Sequence, residues 1–304
     1  MKIIFMGTPE FAVASLDALL QAGLNIVAVV TAQDKPAGRG QKISESAVKK
    51  YAVEKSIPVL QPVKLKDPEF IAQLRSFSAD LQVVVAFRML PEVVWNMPPK
   101  GTINLHASLL PDYRGAAPIN WAVINGEKQT GVTTFFLQHE IDTGDILFSD
   151  TVEIGKNETA GELHDKLMTT GALLLVKTVQ AIEKGEYEET PQRELISSEP
   201  KHAPKIFKED CQINWDEDVL KVYNLIRGLS PYPSAYSSLN GKTIKIYQAD
   251  ILDEVPDTVP GEYISDGKTY LRFACRNGYI DVKELQIEGK KKMYIDEFLR
   301  GYRL

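Results

Sequence analysis

Residues 2–31 read KIIFMGTPEFAVASLDALLQAGLNIVAVVT. Two apolar runs, 2–6 and 25–31, have the length of buried strands, and between them Phe11, Leu16, Leu19 and Leu20 recur at helical spacing until Gly23 ends the run. Strand, helix and strand in immediate succession make a βαβ unit. The alternation continues with a helix from Ser44 to about Lys55, a short strand at 58–60, a helix at 68–76 and a strand at 81–87. Such a pattern predicts an α/β fold, a mostly parallel sheet with helices on both faces. Gly7 sits where dinucleotide folds keep their phosphate-binding glycines, but it stands alone. Without G-x-G-x-x-G, and with no G-K-[ST] loop in the chain, a nucleotide cofactor is not expected.

Further on, a strand over 131–137, an acid-bearing turn and a strand near 146–154 precede a helix from Thr159 to about Lys184. Residues 186–206 are polar and broken by Pro191, Pro200 and Pro204, the composition of a linker. After a helix at 216–229 the character changes to short alternating runs separated by Asn-Gly and Asp-Gly turns, which predicts a small β-rich domain, a barrel. The expected domains are therefore 1–190, a linker at 191–206, and 207–304.

A chain of 304 residues that is 44% hydrophobic and 25% charged has the composition of an ordinary globular protein with ample core. No window offers about 20 uncharged apolar residues, so no membrane partner is expected, and the N-terminal run is too short for a signal peptide. The two cysteines, Cys211 and Cys275, lie far apart in no metal-like spacing, which suits thiols in a reducing cytoplasm. The net charge of −6 argues against a uniformly basic surface, yet two clusters stand out: KPAGRGQK with Lys35, Arg39 and Lys42, and GKKK with Lys290, Lys291 and Lys292. The chain closes on FLRGYRL with no cap signal, compatible with a few further residues.

Candidate chemistry concentrates in NLHASLLPDYRG, residues 104–115. Strand residues alternate faces, so Asn104 and His106 point the same way, at a carboxyl strand end where open α/β sheets bind ligands. An isolated Asn and His are more often structural. Asp142, in the loop QHEIDTGD after the strand at 131–137, is placed to arrive at the same rim from an adjacent strand. A carboxylate beside a histidine fixes its tautomer and favours its charged form, and an amide N–H stabilises an oxyanion. These residue types fit acyl transfer to an amine. Ser108 lacks a G-x-S-x-G elbow and is not expected to be a nucleophile, and His139 with His106 and Asp142 has no usual metal spacing.

The stretches NLHASLLPDYRGAAPINWAVINGE (104–127) and TGVTTFFLQHEIDTGDIL (130–147) closely resemble the formyltransferases that use 10-formyltetrahydrofolate. FMGTPEFAVASLDALL, DKPAGRGQK, INW and RGLSPYPSAY extend the similarity over essentially the whole chain, toward the branch that acts on the methionine of initiator tRNA. The resemblance implies a Rossmann-like formyltransferase domain followed by an OB-type β-barrel, and Asn104, His106 and Asp142 as the catalytic trio. It implies 10-formyltetrahydrofolate as co-substrate, with no metal, held by Ser108, Leu109, Leu110 and Pro111, by the loop Phe87, Arg88, Met89 and Leu90, and by Gln138, His139 and Glu140. The loop AFRMLP is one residue shorter than many relatives have there.

The acceptor implied is the α-amino group of methionine on initiator tRNA, and the protein is expected as a cytoplasmic monomer. Contacts to tRNA phosphates fall to Lys35, Arg39 and Lys42, with Arg39 foremost, and to Lys290, Lys291 and Lys292. Rival readings are formyltransferases of phosphoribosylglycinamide or amino sugars, a formyltetrahydrofolate hydrolase, and an inactive RNA-binding module.

Overall fold

The computed structural model describes residues 1–37, 42–196 and 199–304, and of Ala37 and Lys42 the backbone alone. In chain order the elements used below are β1 (Lys2–Gly7), α1 (Glu10–Gln21), β2 (Asn25–Val30), β3 (Lys35–Ala37), β4 (Lys42–Ser44), α2 (Ala47–Glu54), β5 (Val59–Leu60), α3 (Pro68–Ser76), β6 (Leu81–Val85), α4 (Glu92–Trp95) and β7 (Thr102–His106). They continue with β8 (Arg114–Gly115), α5 (Pro118–Ile124), β9 (Gln129–Phe136), β10 (Ile146–Glu153), α6 (Ala160–Lys184), β11 (His202–Ala203), α7 (Val219–Leu229), β12 (Ala235–Leu239), β13 (Lys242–Leu252), β14 (Tyr263–Ser265), β15 (Leu271–Ala274), β16 (Tyr279–Ile287), β17 (Met293–Tyr294) and α8 (Ile295–Gly301).

The chain forms two compact units, each drawn from three segments rather than from one consecutive stretch. The first comprises Met1–Gly115, Gly131–Val152 and Asp165–His202; the second comprises Ala116–Thr130, Glu153–His164 and Ala203–Leu304.

The first unit is built on a seven-stranded sheet in the order β10-β9-β7-β6-β1-β2-β5. The strands from β7 to β5 run parallel, and β9 is antiparallel to β7. Alternate residues of β1 serve opposite faces: Ile4 and Met6 join Val30, Phe70, Leu74, Val84 and Val94 in one core cluster, whereas Ile3 and Phe5, equally buried, point to the other face. On that second face α6 comes so close to the sheet that a methyl on Gly171 would lie 2.9 Å from Leu105 Cδ2. Gly7 has a packing reason for being glycine. A Cβ there would lie 2.6 Å from that of Ala12 and 3.0 Å from the Val85 carbonyl, so the residue lets α1 and β6 approach β1.

Two expectations change. Where a polar loop was expected at 33–43, β3 and β4 pair antiparallel, Lys35 with Ser44 and Pro36 with Ile43. Part of the stretch read as a linker is tied into the first unit: Thr190 exchanges both backbone hydrogen bonds with Ile146, and Gln192 is 2% exposed. Proline and charge density hid this, because a single buried glutamine leaves no periodic signal.

In the second unit the strands run β12-β13-β16-β15-β14, with β17 on β16. All described pairings are antiparallel, and none among the described residues joins β12 to β14, so the sheet is a half-barrel. The β12–β13 turn is Asn240-Gly241, both left-handed at φ 49 and 76, as a two-residue hairpin turn requires. Helix α7 fills the half-barrel with Val222, Ile226 and Leu229, beside Trp215 stacked on Phe273 at 4.6 Å. Gly228 permits a close α5 crossing, since a Cβ there would stand 2.5 Å from Ile124.

Cys211 and Cys275 are buried free thiols, and burial pushes Cys275 up to about 12. Burial disfavours the thiolate, so neither thiol is expected to react with iodoacetamide at about pH 8 until the protein unfolds. Mass spectrometry before and after denaturant checks this; native alkylation of Cys275 would contradict it.

No helix among the described residues is long and apolar enough to cross a membrane. Nor does any group of three or more His, Cys, Asp or Glu among them stand in position to hold a metal.

Candidate active site

Strand β7 places the site by its register. Asn104 pairs with Val84 of β6 and Phe135 of β9, and His106 pairs with Thr133. Leu105 faces α6, so Asn104 and His106 share the opposite face, that of the cluster containing Val84, Leu90 and Val94. Asn104 is half-buried, and its amide has no hydrogen-bond partner within the chain among the described residues. An amide left unpaired on a sheet face is available to a ligand.

His106 is 7% exposed and held through one ring nitrogen. Its Nε2 lies 2.8 Å from the Tyr113 carbonyl, which can only accept, so Nε2 carries the proton of the neutral ring. Nδ1 then faces Asp142 Oδ2 at 3.9 Å. A second proton on Nδ1 points at a carboxylate, the arrangement that lets an imidazole deliver a proton and regain it. The same Oδ2 accepts from the Gly115 N–H at 3.0 Å, and Asp142 itself is left-handed at φ 55, a conformation Asp tolerates better than most residues.

Asp142 reaches His106 by a route different from the one strand order implied. Because β9 is antiparallel, its carboxyl end lies at the amino end of β7, where the Leu137 N–H donates to the Thr102 carbonyl. The loop after β9 must therefore fold back to bring the carboxylate to the histidine. Gln192 holds it there, donating from Nε2 to the carbonyls of Asp142 at 2.9 Å and Gly144 at 2.8 Å.

The residues expected to hold folate divide. Ser108 is fully buried, and its hydroxyl donates to the Asp112 carbonyl at 2.7 Å, which ties the turn. The Ser108 carbonyl accepts from Thr133 Oγ1, which in turn accepts from the Leu110 N–H. Leu110 is packed with Phe135 and Ile146, Leu109 lies against Gly131, and Pro111 follows a cis peptide. In the other loop Phe87 and Leu90 pack into the core under the Asn104 face, Arg88 donates to the carbonyls of Pro62 and Val63, and Met89 is 72% exposed. Gln138 donates to Asp145 at 3.5 Å, exposed His139 stands 3.7 Å from Glu92 and edge-on to Trp95, and Glu140 is exposed. Phe87, Leu90 and Leu137 belong to the core cluster on the Asn104 face, and Leu110 with Leu137 to a second, smaller one.

Of the basic residues, Lys35 is exposed, Arg39 lies outside the described residues, and so does the side chain of Lys42. Lys290 and Lys291 are exposed, whereas Lys292 pairs with Glu284 at 2.9 Å and lies over the Tyr247 ring. Sequence reading missed the Tyr113 carbonyl, the Gly115 N–H, Arg114 and Gln192. The first three sit inside the quoted DYRG run, where adjacency to His106 was the available signal; Gln192 had none.

The chain matches the formyl transferase family over residues 1–193 and the formyl transferase C-terminal domain over residues 205–303. It is 53% identical to a methionyl-tRNA formyltransferase of Bacteroides fragilis, covering 100% of this chain and 96% of the relative. To that of Flavobacterium johnsoniae it is 51% identical, covering 99% and 96%. In fold it is similar to a sugar 3N-formyl transferase solved in the presence of dTDP and 5-N-formyl-THF. The TM-score is 0.69 at 20% identity, over 96% of this chain and 99% of that one. It is similar also to an N-formyltransferase from Helicobacter canadensis solved with folinic acid and dTDP-3-aminofucose, with TM-score 0.67 at 21% identity over 93% and 98%. A chain matched by both family domains and more than half identical to full-length relatives across its whole length belongs to the formyltransferase family.

Proposed function

We propose that this protein transfers the formyl group of 10-formyltetrahydrofolate to the α-amino group of methionine on initiator tRNA, as a monomer in the cytoplasm. The observation that carries the chemistry is the unpaired Asn104 amide beside a His106 whose free Nδ1 faces Asp142. The choice of acceptor rests on similarity: this chain is 53% identical to a methionyl-tRNA formyltransferase and about 20% identical to the sugar enzymes.

When bound, 10-formyltetrahydrofolate supplies an electrophilic formyl carbon. An α-amine has a pKa of about 7.7–8.0, so a useful share is neutral near pH 7 and needs no strong base. Asn104 donates its amide N–H to the oxygen on which charge builds during attack. His106, fixed by the Tyr113 carbonyl through Nε2, takes up the proton lost by the attacking amine and passes one from Nδ1 toward the folate nitrogen as its bond to the formyl carbon breaks, with Asp142 orienting the ring. The groups that carry this reaction, Gln192 among their supports, belong to the first unit, and residues 207–304 supply further contacts to the tRNA.

The test is a filter assay with labelled formyl donor. Transfer to charged initiator tRNA is expected, whereas transfer to a nucleotide amino sugar, or RNA binding without transfer, would overturn the proposal. Lys35, Arg39, Lys42, Lys290 and Lys291 are proposed to meet phosphates, with Lys292 weaker because Glu284 already neutralises it. Affinity for charged tRNA is expected to fall about tenfold or more between 50 and 200 mM salt, and each lysine or arginine replaced by Ala to flatten the log–log slope by about one. Binding titrations at several salt concentrations check this; a slope unchanged in Lys35→Ala would remove that residue from the contact set.

A further inference from the structure

Gln192 lies far along the chain from the catalytic strand, yet all four of its amide hydrogen-bonding positions are used within this site. Its Oε1 accepts from Arg114 Nε at 3.0 Å and from Arg114 Nη2 at 2.6 Å. Its Nε2 donates to the carbonyls of Asp142 and Gly144. The amide orientation follows from chemistry alone, since a guanidinium can only donate and a carbonyl can only accept.

One side of this clamp is the segment 113–115, which supplies both the carbonyl that holds His106 Nε2 and the N–H that holds Asp142 Oδ2. The other is the loop that presents Asp142 in its left-handed conformation. We propose that Gln192 is a positioning residue for formyl transfer: by tying Arg114 to the backbone of residues 142–144 it sets the distance between the Asp142 carboxylate and His106 Nδ1. This deepens the catalytic assignment made above and rests on it. The strand order gives the reason such a clamp is needed. A loop that leaves β9 beside the amino end of β7 has no ladder bond to hold its acid at the histidine, so its backbone is tied by a buried side chain from elsewhere in the chain.

Gln192→Glu separates holding from folding. The glutamate keeps its acceptors for Arg114 and so retains a partner for the half-buried guanidinium, but it cannot donate, and its oxygen repels the Asp142 and Gly144 carbonyls. The variant is expected to stay folded and lose about 10²-fold in kcat with KM for charged tRNA little changed, since a misplacement of about 1 Å is enough for such a loss. In an Asp142→Ala background the same change is expected to cost less than about twofold, because its effect runs through a carboxylate no longer present. An equal loss in both backgrounds, or a kcat within about threefold of the unmodified enzyme, would overturn the proposal.

Hydrogen exchange on the ligand-free protein supplies a readout independent of the acceptor. Faster exchange in Gln192→Glu confined to residues 113–115 and 138–145 supports the clamp; no change there, or loosening spread over the whole sheet, overturns it. Should the unmodified chain fail to formylate charged tRNA, the acceptor assignment falls, and the exchange experiment still decides whether Gln192 holds the loop.

Discussion

Replacing Asn104 by Ala is expected to lower kcat for formyl transfer by about 10²–10³-fold, the cost of losing one oxyanion donor, while leaving thermal stability nearly unchanged. The separation of the two effects follows from the structure. The Asn104 amide makes no hydrogen bond within the chain among the described residues, so its removal strands no buried partner. His106→Ala should lose activity on a similar scale and also stability, because it abandons the Tyr113 carbonyl in a site where the ring is only 7% exposed. Losing one such hydrogen bond costs about 0.5–1.5 kcal/mol. Steady-state kinetics on charged initiator tRNA, with a thermal melt of each variant, checks both halves. If Asn104→Ala retained more than about a tenth of the activity, oxyanion stabilisation by that amide would be ruled out.

Gly144→Ala is expected to destabilise the first unit by about 3 kcal/mol or more and to abolish transfer. A Cβ at this position would lie 1.6 Å from the Phe136 carbonyl oxygen and 2.8 Å from its carbon, against backbone rather than a side chain that can rotate away. Relief requires breaking the Phe136 N–H to Asp145 carbonyl bond of 3.1 Å, which closes the base of the loop, and moving the Gly144 carbonyl off Gln192. Overpacking of side chains alone costs about 1–3 kcal/mol, and a backbone collision exceeds that range. Gly185→Ala is the control: its Cβ would meet open space, and only its φ of 74 is unfavourable, a penalty of about 1 kcal/mol. Denaturant midpoints of the two variants measure the difference; equal midpoints would show that the loop is not closed as described.

Both predictions concern residues whose types were legible in one dimension. The βαβ alternation of residues 2–31 follows from periodicity, a local property that a short window displays. The shared face of Asn104 and His106 follows from the twofold repeat of any strand. The small β-rich domain was announced by turns such as Asn240-Gly241, where two successive left-handed residues restrict the choice of amino acid; that its sheet is an open half-barrel rather than a closed barrel came from the structure.

What only the tertiary structure decided depends on strand direction and on contacts between residues distant in sequence. The antiparallel β9 reverses the route by which Asp142 arrives, and no local pattern encodes the direction of a strand. The His106 tautomer is set by the Tyr113 backbone carbonyl, a group every residue possesses, so its identity carries no compositional trace. Ser108, polar and beside the strand of Asn104 and His106, gives no sign along the chain that its hydroxyl is bonded inward to Asp112. Gln192 reads as part of a proline-punctuated polar linker until its amide is found buried between Arg114 and the loop of Asp142. Local chemistry thus named the candidate groups, and only three-dimensional packing, which pairs polar atoms irrespective of their separation along the chain, determined how those groups are held.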